Sequence, residues 1–410
     1  MRFAAPIAEA ADPARFGPKA ARLAALGNAG LPTPGGFCVD ARAYRLQLAH
    51  LGLEAAARGV FSAEDRPAAR RHALQVKLGL MQRPIAPAIL KEVLSIRDSV
   101  VRSSALVEDK AGASFAGQFQ SYLGIETEED FLTAVRACWA SLWSTRVLRY
   151  MAASQIGSTA MALIIQPLVR ARCAGGGLSR TAEGDMLVNA AAGPGSAVAQ
   201  GEVVPDRYVL DRSGALKEST AGTNYHSMNC RHGRRAFSRL LAAPSLDAEE
   251  LAELGLFMKK AEELMQGPVE IEWALDDAGI KLLQARPLSV SEAPVPDEIW
   301  LKHPRLSGQP GGAGWGTGRA RVVSCECELE RVAPGDVLVT TVAGPALSEV
   351  FPRVAGIVAE LGGSTSHLAS LARERGVPMV LGAPDATRRI PDGAMVAVDG
   401  VTGVVRWMRP

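Results

Sequence analysis

The sequence predicts a multidomain protein of mixed α+β and α/β class, and three observations carry that expectation. Its 410 residues are 48% hydrophobic and 21% charged, enough to bury several cores and fill roughly two to four domains. Helical and strand-like patterns alternate through the first 290 residues. From residue 311 the pattern changes to short strands and turns, as expected of a compact domain of about 100 residues mixing β and α. No repeat of fixed period runs through the chain.

Taken in order, KAARLAALGNAG (19–30) places apolar residues at helical spacing and ends on Gly30, and LPTPGGFCVDARAY then turns into a short strand and a new helix. SVVRSS (99–104) reads as a strand running into the loop AGASFAGQFQSYLGI. The stretch 131–153 reads as one long amphipathic helix and MALIIQPLV (161–169) as a buried strand. A glycine-rich middle alternates turns with short strand-like runs. LDAEELAELGLFMKKAEELMQ (246–266) is the clearest helix, capped by Ser245 or Asp247. Residues 268–290 form a hairpin joined across Asp276-Asp277-Ala278-Gly279, and the proline-rich, aperiodic stretch 291–310 reads as a linker. GTGRARVVS, GDVLVTT, VAGIVAE, the helix beginning near His367, VPMVLG and GAMVAVDGVTGVVRW complete the chain.

The net charge of +2 comes from 45 basic and 43 acidic residues that are interspersed, so no basic stripe suggests a nucleic-acid or membrane partner. Small acidic or phosphate-bearing molecules remain as partners. The six cysteines are scattered, and Cys325-Glu326-Cys327 lacks the spacer and second pair of a zinc site. They are expected to be reduced thiols of a cytoplasmic protein. The first 19 residues hold no long apolar run of the kind a signal peptide needs, and no stretch approaches the roughly 20 apolar residues of a membrane span.

Three clusters carry chemistry. In GGSTSHLASLARERG (362–376), small residues surround His367, and Ser364, Thr365 or Ser366 could cap the helix that follows. In the hairpin, Glu270 and Glu272 share one face of the first strand, and Gln284 and Arg286 share a face of the second. If those faces met, carboxylates, an amide oxygen and a guanidinium would suit Mg²⁺ and phosphate; otherwise they are a solvated sheet face. In VVRSSALVEDKAGASFAGQ (100–118), Arg102 precedes a loop of small residues and glycines, including Gly117, whose N–H groups could approach phosphate oxygens or simply line the surface. Lys19 follows Gly17-Pro18 at a helix start, where the dipole disfavours a cation and a phosphate would neutralise it. No GxxxxGK[ST] sequence occurs.

Together these stretches resemble one family over nearly the whole chain. FGPKAARLAALGNAGLPTPGGF, VVRSSALVEDKAGASFAGQFQSYL, CWASLWSTR, QGEVVPD, EIEWAL with LLQARP, and GGSTSHLASLARERGVP look like phosphoenolpyruvate synthase and pyruvate phosphate dikinase. The resemblance implies an ATP-grasp domain of two subdomains, 1–190 and 191–290, then the linker 291–310 and a small swivelling phosphohistidine domain, 311–410. It implies a dikinase reaction in which ATP yields AMP and phosphate while the β-phosphoryl group is carried on a histidine to a small-molecule acceptor, or to a separate acceptor protein. Lys19, Arg102, Arg146, Gly117, Glu202 and Arg286 would bind ATP, and Glu270, Glu272 and Gln284 would bind Mg²⁺. His367 would be the nucleophile and carrier, with Thr365 and Ser366 as hydroxyl donors to the phosphoryl group.

Elementary chemistry agrees with that implication. Phosphoryl transfer needs positioning and charge cancellation more than covalent help, which a metal ion, a lysine and two arginines supply. A helix start disfavours an imidazolium and favours a phosphoryl dianion. A flexible linker of about 20 residues would span near 25 Å on average and about 60 Å when extended, so a tethered histidine could visit a nucleotide and leave. The sequence departs from the family at GPGS (193–196), where Ser196 stands in place of a carboxylate, and at 221–235, which fits no family motif and holds His226 and His232, expected to face solvent. It also ends at Pro410, before the barrel that binds pyruvate in the family, and so is expected not to bind pyruvate in that way. Two other readings stay open on the sequence: an ATP-driven ligase or condensing enzyme that activates a carboxylate or carbonyl, and a phosphocarrier or nucleotide-sensing subunit.

Overall fold

The structure, a computed structural model, describes residues 2–108, 119, 121–145, 147–148, 151, 159–223, 245–292 and 298–408. By its internal contacts the chain groups into two compact units, Met1–Val169 with Lys281–Arg286, and Arg170–Ile280 with Pro287–Pro410. The mixed α/β, multidomain class expected from the sequence is what the structure has.

The first unit is organised by a five-stranded antiparallel sheet in the order Ala4–Pro6, Phe37–Val39, Met161–Gln166, Val100–Ala105, Ser121–Leu123. Met161–Gln166 lies at its centre and is buried along its whole length, as an unbroken apolar run requires. The helix Pro13–Asn28 starts where the Asp12 side chain accepts the N–H of Ala14, then breaks at Gly17, whose φ of 80° and ψ of 157° lie in a region open essentially to glycine alone. Pro18 restarts the helix. The break is pinned by strand Val100–Ala105, because the Ser104 hydroxyl donates to the Phe16 carbonyl at 2.7 Å and accepts from the Ala20 N–H at 3.3 Å. A Cβ on Gly17 would stand 2.4 Å from that Ser104 oxygen.

The long helix expected over 131–153 instead runs Glu128–Ser141, breaks over 142–144, and the chain is helical again at 145, 147–148 and 151. The Trp143 and Ser144 N–H groups bond three residues back, to Ala140 and Ser141, which tightens the chain out of the α-helical path. That turn lets the buried Trp143 indole donate to the Tyr44 hydroxyl at 2.8 Å, a partner that a buried N–H requires.

In the second unit the strands Val269–Asp276, Cys173–Leu178, Met186–Ala192, Asp206–Leu210 and Leu216–Thr220 pair antiparallel in that spatial order. The helix Ala248–Met265 begins in a capping box, Asp247 accepting from the Glu250 N–H while Glu250 accepts from the Asp247 N–H. Its Met258 is buried where Gly177 leaves room on one face of the sheet, since a Cβ there would lie 2.6 Å from the Met258 sulfur. Farther along, burial would push the Glu262 carboxyl up, but bonds from Ser179, Arg180 and Arg212 outweigh it and hold it below the usual range.

The end of the same unit is an eight-stranded sheet in the order Arg305–Ser307, Val404–Trp407, Met395–Asp399, Trp315–Val323, Val337–Thr340, Gly356–Ala359, Met379–Leu381, Gln309–Pro310. Trp315–Val323 joins two regimes: its first half pairs antiparallel with Met395–Asp399 and its second half parallel with Val337–Thr340. The parallel strands Val337–Thr340, Gly356–Ala359 and Met379–Leu381 are buried throughout, as parallel strands covered on both faces are.

The stretch 291–310 differs from its reading as a linker. Glu298–Leu301 is a helical turn, and Arg305–Ser307 and Gln309–Pro310 are strands at the two edges of the eight-stranded sheet. Isolated strand residues among prolines carry no period, so the pattern could not reveal them. Cys38, Cys138 and Cys173 are buried and form no disulfide, and burial pushes the Cys38 and Cys173 thiols up to about 12.

Because Gly17 combines a glycine-only backbone with a 2.4 Å clearance, Gly17→Ala should lower stability by about 1–3 kcal/mol, read as a lower urea midpoint.

Candidate active site

Two groups of the expected residues come together, one on each unit. On the first, the restart of the helix at Pro18 carries Lys19 to the end of strand Val100–Ala105. Its ammonium lies 2.8 Å from Glu108 Oε1 and 3.4 Å from the Ser103 carbonyl, with the Lys19 side chain only 10% exposed. Arg102, on the same strand, donates to the Leu283 carbonyl at 2.7 Å and to Gln284 Oε1 at 3.0 Å. Gln284 and Arg286 are both buried. This unit therefore holds an ammonium and two guanidiniums, chemistry that suits a polyphosphate. Glu108 already neutralises part of the Lys19 charge, so the lysine at the helix start has a protein partner that its sequence position did not disclose.

On the second unit, Ser366 caps the helix His367–Arg375, its hydroxyl accepting the Ala369 N–H at 3.3 Å. His367 is the first helical residue and half-buried, with Nδ1 shielded from solvent. The turn before it is held by two buried amides. Asn189 Oδ1 accepts from the Thr365 N–H at 3.2 Å and its hydroxyl at 3.3 Å, while Gln309 Oε1 accepts from the Ser364 N–H at 3.2 Å. Asn189 donates in turn to Gln309 at 3.0 Å and to the Asp206 carbonyl at 3.2 Å. The Thr365 and Ser366 hydroxyls, expected to face a phosphoryl group, here serve docking and capping.

QGEVVPD (200–206) lies against the same turn. The Gly362 N–H donates to the Val203 carbonyl at 3.1 Å, Gln309 donates to the Pro205 carbonyl at 3.1 Å, and Gly363 sits close to the Pro205 ring. Asp206 anchors this segment by accepting the N–H groups of Gly222 at 2.6 Å and Ser245 at 3.0 Å. Burial, then the Asp206 charge, pushes the neighbouring Tyr208 phenol up to about 12. Glu202 is exposed beyond the left-handed Gly201 and makes a backbone bond to Ala197.

The strand register puts Glu272 opposite Gly176 and Gly176 opposite Asn189, so all three face the same side of the sheet. Glu270 shares that face, as the alternation predicts. The face at Glu270 is not solvated, because Glu270 is 4% exposed and bonds Ser370 and Arg373 from the His367 helix. Gly176 allows the approach: a Cβ there would lie 2.6 Å from the Thr365 side chain.

Gly117 and Arg146 lie outside the described residues, as do His226 and His232. Among the described residues no three or more His, Cys, Asp or Glu side chains cluster as a metal site. Asn189, Gln309, Glu108 and Arg373 were not singled out from the sequence. For Asn189 a signal existed: it is the only polar residue in the otherwise apolar strand MLVNAAA.

Residues 14–301 match the pyruvate phosphate dikinase AMP/ATP-binding domain, and residues 332–403 match the mobile domain of PEP-utilising enzymes. The phosphoenolpyruvate synthase of Aeropyrum pernix is 30% identical over 95% of this chain and 56% of its own length. The probable phosphoenolpyruvate synthase of Methanothermobacter thermautotrophicus is 30% identical over 95% and 61%, and the phosphoenolpyruvate synthase of Pseudomonas aeruginosa 29% over 93% and 54%. The chain thus spans somewhat more than half the length of these relatives. No described helix is long and apolar enough to cross a membrane.

Asn189→Ala removes the acceptor of the buried Thr365 N–H and a donor to Gln309. It should cost about 1–3 kcal/mol and speed amide exchange over 363–369, with the strands 395–399 and 404–407 unaffected.

Proposed function

The chain belongs to the family that carries the pyruvate phosphate dikinase AMP/ATP-binding domain, and on that premise we propose that it is an ATP-dependent phosphotransferase in which His367 carries the phosphoryl group. The observation that carries the proposal is the placement of His367 at the start of a capped helix, on a turn held by buried amides, with Nδ1 shielded. That leaves Nε2 to meet a phosphorus atom. A helix start, with its free N–H groups, is a favourable seat for a phosphoryl dianion.

In this reading Lys19, Arg102 and Arg286 hold the triphosphate and offset the charge that grows on its oxygens. Gly117, Arg146 and Glu202 are assigned to nucleotide binding by the resemblance alone. Glu272 and Gln284 are the oxygen ligands assigned to Mg²⁺ by the resemblance, and the ion would supply positive charge against that of the phosphates. His367 Nε2 forms a bond to the β-phosphorus as the bond between that phosphorus and the AMP oxygen breaks. Release of the terminal phosphate consumes one water, so the products are AMP, phosphate and phosphohistidine. A neutral imidazole supplies the electron pair and no proton need be removed from it beforehand. Thr365 would donate to the bound phosphoryl group only by giving up its bond to Asn189, whereas Ser366 accepts from Ala369 and keeps its own O–H for donation.

The phosphoryl group then passes to a small-molecule acceptor. Because the similar proteins are named phosphoenolpyruvate synthases, a pyruvate-like 2-oxo acid is the first class to test.

Incubation with Mg-ATP should produce AMP and add the mass of one phosphoryl group to His367, an acid-labile label. His367→Ala should abolish both; AMP released by that variant at the unaltered rate would overturn the proposal.

A further inference from the structure

Glu270 is assigned to Mg²⁺ by resemblance, yet its surroundings describe another task. Its carboxylate is 4% exposed, and Oε2 accepts from Arg373 Nη2 at 3.0 Å and from the Ser370 hydroxyl. The same guanidinium sends Nη1 to the Ser364 carbonyl at 2.7 Å, and Nη2 also reaches Ser370 Oγ at 3.1 Å. One side chain therefore ties a buried carboxylate on strand Val269–Asp276 to the backbone of the turn that precedes His367. The Arg373 side chain is itself only 10% exposed, so this ion pair is largely withdrawn from water, where breaking it by removing one partner is costly.

Helix geometry adds direction. Ser370 follows His367 by three residues and Arg373 follows Ser370 by three, so each is a surface neighbour of the one before it on the helix His367–Arg375, with Arg373 about 120° around the axis from His367. Fastening two of them to Glu270 fixes the rotation of the helix about its axis, and with it the heading of the imidazole. A carboxylate held by a guanidinium is also a poor place for a second cation, because Mg²⁺ would sit against the arginine charge.

We propose that Glu270 and Arg373 form one positioning pair that holds the Ser364–Ser366 turn and orients His367, and that Glu270 serves this pair instead of the Mg²⁺ site. The inference rests on the reading of His367 as phosphoryl carrier; the pair itself is a matter of structure and can be tested without that reading.

The test uses the full chain with Glu270→Gln, Arg373→Gln and the double variant, each followed in two ways. The first is the rate of His367 labelling by Mg-ATP as Mg²⁺ is varied. Each single substitution should slow labelling about tenfold, and the double variant should be no slower than the slower single, because the two act as a unit. The Mg²⁺ concentration for half-maximal rate should stay within about twofold of the unaltered protein. Arg373→Lys should recover only part of the loss, since an ammonium lacks the fork that spans Glu270 and the Ser364 carbonyl. A several-fold rise in half-maximal Mg²⁺ for Glu270→Gln alone, or losses that multiply in the double variant, would overturn the proposal.

The second measurement is amide exchange over 364–370 without nucleotide. It should quicken in both singles and no further in the double; unchanged exchange in the singles counts against the pair. Should the unaltered protein take no label, the phosphocarrier reading fails and this exchange result alone decides whether the pair exists. If Glu270→Gln does not fold, Glu270→Asp, which keeps the charge but shortens the reach, takes its place and should give the same pattern.

Discussion

Two buried amides, Asn189 and Gln309, settle where the histidine turn can sit. Inside a protein a polar group that loses water must find a partner or pay a desolvation penalty, and here the partners come from segments far apart in the chain. Asn189 is fully buried and engages Thr365, Gln309 and the Asp206 carbonyl; Gln309 engages Ser364 and Pro205. No one of these groups can move without stranding another. Gly176 in strand Cys173–Leu178 follows from the same constraint, since a side chain there would hold Thr365 away from the amide that receives it.

The two units meet charge differently. The first gathers Lys19, Arg102 and Arg286 and answers with Glu108 and neutral oxygens, the Ser103 and Leu283 carbonyls and Gln284. The carbonyls and the amide accept N–H groups from Lys19 and Arg102 without themselves cancelling charge. The second unit holds its turn with uncharged amides and commits a deeply buried ion pair, Glu270 with Arg373, to the helix behind the histidine.

Much of this was legible in the residues. Periodicity located the buried strand Met161–Gln166 and the capped helix Ala248–Met265, and the two-residue alternation put Glu270 and Glu272 on one face. The histidine motif announced its own helix, down to a capping serine and the left-handed Gly376 that ends it. What escaped was long-range. Glu108 as the partner of Lys19, Gln309 inside an apparent linker and Arg373 as the partner of Glu270 are all pairings across the chain, and local pattern carries no information about which distant residue answers a buried charge. The helix expected over 131–153 is broken at 142–144 for a similar reason, because the Trp143 indole bonds Tyr44 from another helix.

The short strand Arg305–Ser307 has a consequence for how the protein is made. Leu306 pairs with Val405, so the eight-stranded sheet closes only when the last of its strands joins a segment synthesised long before. Its central strands are parallel as well, and each must wait for a crossover to be completed before it can pair. Such topologies form slowly because distant contacts must be found at an entropic cost before they are rewarded. On the ribosome, the histidine turn therefore emerges before the last three strands of that sheet, and the apolar strands Val337–Thr340 and Gly356–Ala359 wait through that interval for their remaining neighbours. Part of the sheet that gives His367 its fixed setting is thus open to wrong pairing while the chain is being born, the interval in which a chaperone would protect it.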